Sequence, residues 1–463
     1  MNNTSATKTD NGNSILFIIC IASSLVPLMG SSLNLALPYI NKDLSLDVVT
    51  SSWIPTSYML VSAIFQVPCA RLADMIGRKK VFITGITLFT LFSFTSGFAG
   101  SGMELIIYRC LSGIGSAMMF GTSMAILTSS VSPEKRGRAF GINTAFVYTS
   151  LAVGPLLGGV LTQYFNWHSI FFFAGGIGLI VIIGTLLVIK EEWKEEKKTT
   201  FDTIGSILYA TGLFLLIYGF SRLPAIESFL LIIAGSVILF FFSGYEKLQA
   251  SPVFNIRVFL DNRVFRLSSL SALINYSSTS AIAFMLSLYL QYIRGLSPRD
   301  AGFVLISQSV IQTVATLISG RLSDKVSPTF LATLGMGIIA LGLVGLCFLT
   351  ETSSLLFLIA LLILLGLGFG TFSSPNTNII MSSVEKKDYS MASATAGTMR
   401  LTGQAFSMGI AIMAMSLTIG NIPISSEVHT QLLFSMRIVF IICSVLCLAG
   451  VYMSSIREKG VKK

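Results

Sequence analysis

Apolar runs of about twenty residues recur along this chain between short polar segments, and they restrict its fold more than any other feature. A helix needs ~20 residues to cross a ~30 Å hydrocarbon core, and inside that core its backbone polar groups must be satisfied internally. Fourteen runs meet the length, at 14–38, 52–70, 81–100, 104–128, 138–161, 169–189, 203–221, 228–244, 266–291, 301–320, 330–349, 354–374, 391–418 and 432–455. Only 11% of the 463 residues are charged and 53% are hydrophobic, whereas a soluble domain carries about 25% charge. The expected fold class is all-α integral membrane, with fourteen transmembrane helices.

The formal net charge of +10 would suit a nucleic-acid binder, but its distribution points to topology. With the N-terminus in the cytoplasm and alternating spans, 24 of the 31 Lys and Arg fall in cytoplasmic segments. Four fall in external loops (Lys42, Arg222, Arg294, Arg299) and three within spans (Arg109, Arg400, Arg437). That is the positive-inside bias, and it places both termini in the cytoplasm of a multi-pass cell-membrane protein. Nucleic acid is not an expected partner; the lipid bilayer is. The six cysteines, Cys20, Cys69, Cys110, Cys347, Cys443 and Cys447, all lie in or beside spans, so no disulfide framework is expected. The first run is too long for a signal-peptide core and leads directly into others, which reads as a retained first helix.

Two polar stretches divide the chain. "KEEWKEEKKTTFD" (190–202) reads as a solvated linker, and "EKLQASPVFNIRVFLDNRVFR" (246–266) as an amphipathic segment on the inner membrane surface. The expected domains are therefore an N-terminal six-helix bundle at 1–190, a linker with spans 7 and 8 at 191–265, and a C-terminal six-helix bundle at 266–463. The outer parts echo one another. "ARLADMIGRKK" from Ala70 and "GRLSDKVSPTF" from Gly320 occupy the same inter-helix loop of each half, 250 residues apart. Paired halves of this kind suit alternating access to a site between them.

These residues resemble the major facilitator superfamily, and within it the 14-helix drug:proton antiporter branch of multidrug and tetracycline-type efflux proteins. In the loop after span 2, Leu72, Ala73, Asp74, Gly77, Arg78 and Lys79 match the family pattern, while Ala70 and Met75 replace a Gly and an Arg. "RCLSGIGSA" in span 4 is similar to a family motif, with Ser112 in place of Gln. Span 5 carries Gly141, Gly154, Pro155, Gly158 and Gly159 of the antiporter signature, with Ser150 where Gly is usual. The resemblance implies that Asp74, Gly77, Arg78 and Lys79, echoed by Arg321 and Asp324, brace a cytoplasmic gate. It also implies that the span 5 glycines and Pro155 form a bent, tightly packed helix that prevents leakage. Ser327 and Pro328 stand in the echo where Gly-Arg would be, so the second gate departs from the pattern. The plain alternatives are a topogenic charge cluster and ordinary small-residue packing.

The residues nearest a transport pathway follow from the cost of polarity in lipid. A guanidinium within a span costs at least ~2.5 kcal/mol and faces a partner, a cavity or the headgroups. Arg109 and Arg400 are the candidates, while Arg437 suits snorkelling. Asn34, Gln308 and Gln312 are the amides placed nearest the cavity. None of the 21 acidic residues falls in mid-span, and Met29 occupies the site where this branch usually carries a span 1 acid. Desolvating a cation requires a counter-charge, so the expected substrate is a neutral or anionic amphiphile. The proton carrier is left open. No metal site, phosphate loop or cofactor is read from the sequence, and enzymatic activity is not expected. The expected function is proton-coupled export of a small molecule by a monomer, the alternative being a facilitator or symporter of an organic anion.

Overall fold

The structure is a computed structural model that describes residues 4–131, 136–193, 201–223, 225–249, 252–254, 256–323, 325–384, 389–420 and 428–457. The first six helices are α1 (Thr4–Asp43), α2 (Val48–Ile76), α3 (Arg78–Ser96), α4 (Gly102–Ser130), α5 (Arg136–Phe165) and α6 (His168–Val188). A hairpin of α7 (Thr203–Ser221) and α8 (Ile226–Glu246) and a six-residue helix α9 (Ile256–Asp261) follow. The remainder is α10 (Arg263–Thr279), α11 (Ala281–Leu288), α12 (Pro298–Leu322), α13 (Pro328–Leu346), α14 (Leu355–Ser382), α15 (Tyr389–Thr418) and α16 (His429–Ser455). All described regular structure is helical, as the apolar runs require.

Local sequence sets the helix ends. The Asp47 carboxylate accepts from the Val49 and Thr50 amides at 2.9 and 3.0 Å and starts α2. Ser297 with Pro298, and Ser327 with Pro328, start α12 and α13 in the same cap-then-proline manner. The residues that break the gate echo are therefore a helix start. Thirteen helical units among the described residues are long and apolar enough to cross a membrane, with Arg263–Ile293 counted as one. Helix α3 falls short of that measure because Lys79 and Lys80 open its apolar stretch, so fourteen is reached only by including it.

Three expectations need correction. The run 266–291 is not one regular helix: it breaks at Ser280 and ends in a π-helical segment, Tyr289–Ile293. The amphipathic segment is not one continuous helix: its described residues include the end of α8, all of α9 and the first turn of α10, and Phe254 and Phe259 turn inward to pack with α2, α7 and α15. The 190–202 linker is not uniformly solvated, since Glu192 and Trp193 dock on the α2–α3 turn.

Helices α1–α6 form one bundle, in which α1 packs on α5 and α4 on α2 and α3; α10–α16 form the other, in which α12 packs on α14 and α13 on α16. The two most extensive contacts between them are α5 with α12 and α2 with α15, and α7 lies against α2 and α15. We call the end holding the α2–α3 turn the basic face. Toward the opposite face the halves are zipped together. The Ser287 hydroxyl donates to the Asn34 carbonyl (2.6 Å), the Gln291 amide to the Leu35 carbonyl (3.1 Å) and the Tyr292 hydroxyl to the Pro38 carbonyl (3.3 Å). The Arg299 amide and guanidinium donate to Gln163 Oε1 and the Tyr164 hydroxyl, both at 3.3 Å.

Glycine makes these approaches possible. A Cβ on Gly158 would meet the Ser32 backbone of α1, and one on Gly159 would meet the Pro298 and Arg299 backbone of α12. Gly302 returns the contact, facing the Pro155 carbonyl. Gly141 differs from the rest of the signature: it borders open space. Overpacking a close contact costs about 1–3 kcal/mol. Gly158→Ala should therefore lower the melting temperature of the detergent-solubilised protein, whereas Gly141→Ala should leave it unchanged.

Candidate functional site

Arg109 sits on the first half of α4, where Glu104 and Ser101 have started the helix. Its side chain is 1% exposed and its Cζ lies 4.0 Å from the Tyr58 ring centroid on α2. It is held within the protein rather than extended to the headgroups. Stacking of this kind stabilises a desolvated guanidinium by roughly 2 kcal/mol. The half-exposed Arg400, on α15, lies 5.2 Å from the Phe120 ring of α4. It is also within electrostatic range of the Tyr58 and Tyr148 hydroxyls. One mid-depth region therefore gathers two guanidinium groups and aromatic rings from α2, α4 and α5.

The aromatic set extends across the seam between bundles. The Tyr148 hydroxyl pairs with the Ser373 hydroxyl of α14, and the Thr313 hydroxyl of α12 donates to the Tyr148 carbonyl at 3.4 Å. Tyr148 also feels Tyr276 of α10, whose ring is 6.0 Å from Phe369. Sequence reading identified Arg109 and Arg400 but missed Tyr58, Tyr148 and Tyr276. Single aromatic residues within apolar runs carry no signal until helices are placed side by side. The other pathway candidates are seen through their backbones. Asn34 belongs to the zipper at the opposite face. Gln308 and Gln312 use their backbones to hold α14 close at Gly366 and Gly370. The exposed Arg437 is placed as a snorkelling residue would be.

The gate candidates form a compact cluster within the first bundle. Asp74 and Arg78 make a two-nitrogen ion pair, with Nη2 at 2.8 Å and Nε at 2.9 Å from Oδ1. Arg78 Nη1 also donates to the Ser129 hydroxyl (2.8 Å) and the Ala125 carbonyl (3.4 Å) on α4. Gly77 turns the chain at φ +124°, a conformation other residues rarely adopt, directly beside Glu192. Glu192 accepts from the Lys79 amide at 2.9 Å, and the Arg78 amide donates to the Trp193 carbonyl at 2.9 Å. The loop thus ties α2, α3, α4 and the segment after α6 together. Arg321 is exposed in the last turn of α12, and Asp324 lies outside the described residues.

A buried Arg457 was not anticipated. It is 1% exposed and donates to Asn376 Oδ1 of α14 at 2.7 Å and the Ser268 hydroxyl of α10 at 3.3 Å. Burial pulls its guanidinium down from the ordinary value to about 10. Asn376 in turn donates to the Ser268 carbonyl at 3.2 Å, so this amide joins helices. Its position near the chain end hid Arg457 among basic tail residues.

Two six-helix bundles around a guanidinium and aromatic centre define a polytopic transport protein. The family model for the Major Facilitator Superfamily matches residues 19–408 and 268–461, and the chain belongs to that family. It is 28% identical over 444 residues to the riboflavin transporter RibZ of Clostridioides difficile (strain 630), covering 95% of this chain and 96% of that one. It is 25% identical over 412 residues to the tetracenomycin C resistance and export protein of Streptomyces glaucescens, covering 88% and 76%. The cephamycin export protein CmcT of Amycolatopsis lactamdurans is 29% identical over 422 residues, covering 87% and 85%. A bacterial homolog to the human lysosomal transporter Spinster, solved inward-facing and unoccupied, shares the fold with a TM-score of 0.72. It is 15% identical and is matched over 97% of both chains. The chain is thus a multi-pass membrane transporter and not an enzyme, and drug-efflux proteins stand among its relatives.

Removing the Asp74 carboxylate leaves a half-exposed Arg78 that water can solvate, a stability cost of no more than about 1 kcal/mol. Asp74→Ala should insert and fold normally yet lose transport in vesicles. Normal transport would remove the loop from the gating machinery.

Proposed function

We propose that this transporter exports a neutral or anionic, ring-bearing amphiphile across the cytoplasmic membrane, in exchange for protons. The observation that carries the substrate class is Arg400 amid Phe120, Tyr58 and Tyr148, with Arg109 buried on Tyr58 nearby. Aromatic faces bind flat ring systems, and a guanidinium hydrogen-bonds carbonyl or carboxylate groups on such rings. A cationic drug would need a carboxylate at this depth to offset its lost hydration. Among the described residues, no acid lies in the middle of a helix of either six-helix bundle. Riboflavin, named for one relative, is a neutral planar ring system and fits this reading.

The orientation we favour puts both termini and the basic face in the cytoplasm. The zipped opposite face is then extracellular, and the structure corresponds to an inward-facing state. In the alternate state, Asp74, Gly77, Arg78 and Lys79, with Arg321 and Asp324, would brace the cytoplasmic side. The two bundles would rock about the α5–α12 and α2–α15 seams. The Gly154, Pro155, Gly158 and Gly159 stretch supports this by keeping α5 close to both α1 and α12.

Proteoliposomes with an imposed pH gradient test the proposal against cationic, neutral and anionic ring compounds, riboflavin serving as the neutral one. The expected result is gradient-driven movement of neutral and anionic compounds, and movement of cations alone would refute the substrate class. Arg400→Ala should raise the KM of an anionic substrate at least about tenfold more than that of a neutral one, since a charge-assisted hydrogen bond contributes about 1.5–3 kcal/mol. Equal losses for both would remove Arg400 from charge recognition.

A further inference from the structure

The α7–α8 hairpin holds two carboxylates that the pathway described above does not use. Asp202 precedes α7 and caps it, its Oδ1 accepting from the Gly205 amide at 2.8 Å. Glu246 ends α8. Both are buried, Asp202 at 9% and Glu246 at 2% exposure. A Cβ on Gly205 would strike Oδ2 of Asp202 and Oε1 of Glu246 together, so the two carboxyl groups converge on one small space. Among the described residues, Asp202 Oδ2 and both oxygens of Glu246 have no hydrogen-bond partner.

Among the described residues, the surroundings supply little compensating charge. On α8, the Tyr245 hydroxyl donates to Asp202 Oδ1 at 3.3 Å, and Lys247 follows Glu246 on the exposed side. The exposed Arg257 of α9 donates to the Lys247 carbonyl at 2.5 Å instead of to a carboxylate. The amides of Val253 and Phe254 lie near Glu246 without closing a hydrogen bond of normal geometry. Helices α2 and α15 present apolar residues to α7, including Leu60, Ala63, Val67 and Leu401. Two like charges buried together cannot both stay ionised, and a shared proton is the usual resolution.

We infer that Asp202 and Glu246 form a proton-binding site that locks the α7–α8 hairpin onto the α2–α15 seam. On uptake, a proton from the basic face forms an O–H bond at one carboxyl oxygen, and the site carries one negative charge instead of two. The neutral carboxyl can then donate toward its neighbour's free oxygen. The location gives this consequence. Tyr209 of α7 donates to the Ala63 carbonyl of α2 at 3.3 Å, and Tyr209, Leu213 and Ile217 pack among α2 and α15 residues. One of the two most extensive seams between the bundles is therefore braced by a hairpin whose base is a carboxyl pair. The sign follows from linkage: the docked hairpin binds the proton, so docking is favoured at low pH and weakens as pH rises and the proton leaves. The inference stands apart from the identity of the substrate.

Infrared difference spectra and hydrogen–deuterium exchange of the full-length protein in lipid vesicles, titrated from mildly acidic to mildly alkaline pH, test the site. The wild type should show a protonated-carboxyl band that bleaches as pH rises, with exchange in α7 accelerating over the same range. Glu246→Gln should lose the band and the pH dependence of α7 exchange. Asp202→Asn, which keeps a capping oxygen for Gly205, should move the titration to more acidic pH because the neighbouring charge is gone. A wild type without the band, an unaltered band in Glu246→Gln, or an unmoved titration in Asp202→Asn would each overturn the inference.

Discussion

The architecture depends on backbone-to-backbone approach between helices, because apolar side chains alone give little preference for a neighbouring helix over lipid. Van der Waals contact and hydrogen bonding then decide which helices associate, and both favour positions without a side chain. Helix α5 uses this on two sides at once. Gly158 admits the Ser32 backbone, whose hydroxyl donates to the Gly154 carbonyl at 2.8 Å, and Gly159 admits α12 one residue later. The same helix thus belongs to the core of one bundle and the interface with the other. Gly335 and Gly368 join α13 to α14, and Gly85 and Gly115 join α3 to α4, in the corresponding way inside each bundle.

Charge is the second organising influence, and the structure handles it differently at each depth. At the basic face, Asp74 and Arg78 neutralise each other, and Arg78 places its remaining hydrogen bonds on α4. At mid-depth, no described carboxylate answers Arg109 or Arg400; aromatic faces do so instead. That choice leaves positive potential in the centre of a transporter, which is the ground for proposing a neutral or anionic substrate. At the base of the α7–α8 hairpin the opposite excess occurs, with two carboxylates and no buried cation among the described residues. A molecule that places its excess charges in separate compartments can bind substrate and proton without either neutralising the other's site.

The membrane fold was legible because hydrocarbon thickness imposes a length, and each of the fourteen runs is helical over most of its extent, with 81–100 and 330–349 overrunning α3 and α13 by three or four residues. Exceptions lie where polarity is interleaved. Ser277 to Ser280 interrupt the ninth run, and "YLQYI" gave no warning that its residues form a π-helical segment reaching across to α1. The family motifs located Asp74, Arg78 and the α5 glycines, yet Gly141 borders open space where its matched neighbours make close contacts. Arg109 and Arg400 stood out because charge in a span is costly. Their aromatic partners did not, since Tyr58 and Tyr148 lie about ninety residues apart in sequence and meet only through helix packing. Asp202 and Glu246 were hidden for a related reason. Each sits at a polar boundary where an acid is ordinary, and only the hairpin brings them together.

The central claim is that the two bundles rock as units, so that opening one face closes the other. Spin-label distances in lipid nanodiscs test it directly, with one pair on Gln163 and Arg299 at the zipped face and another on Ile76 and Ser382 at the basic face. The account requires two populations at each pair: the zipped-face distance short when the basic-face distance is long, and the reverse, with substrate and pH shifting their proportions together. Distances that lengthen at both faces at once, or a zipped face that never opens under any condition, would contradict it.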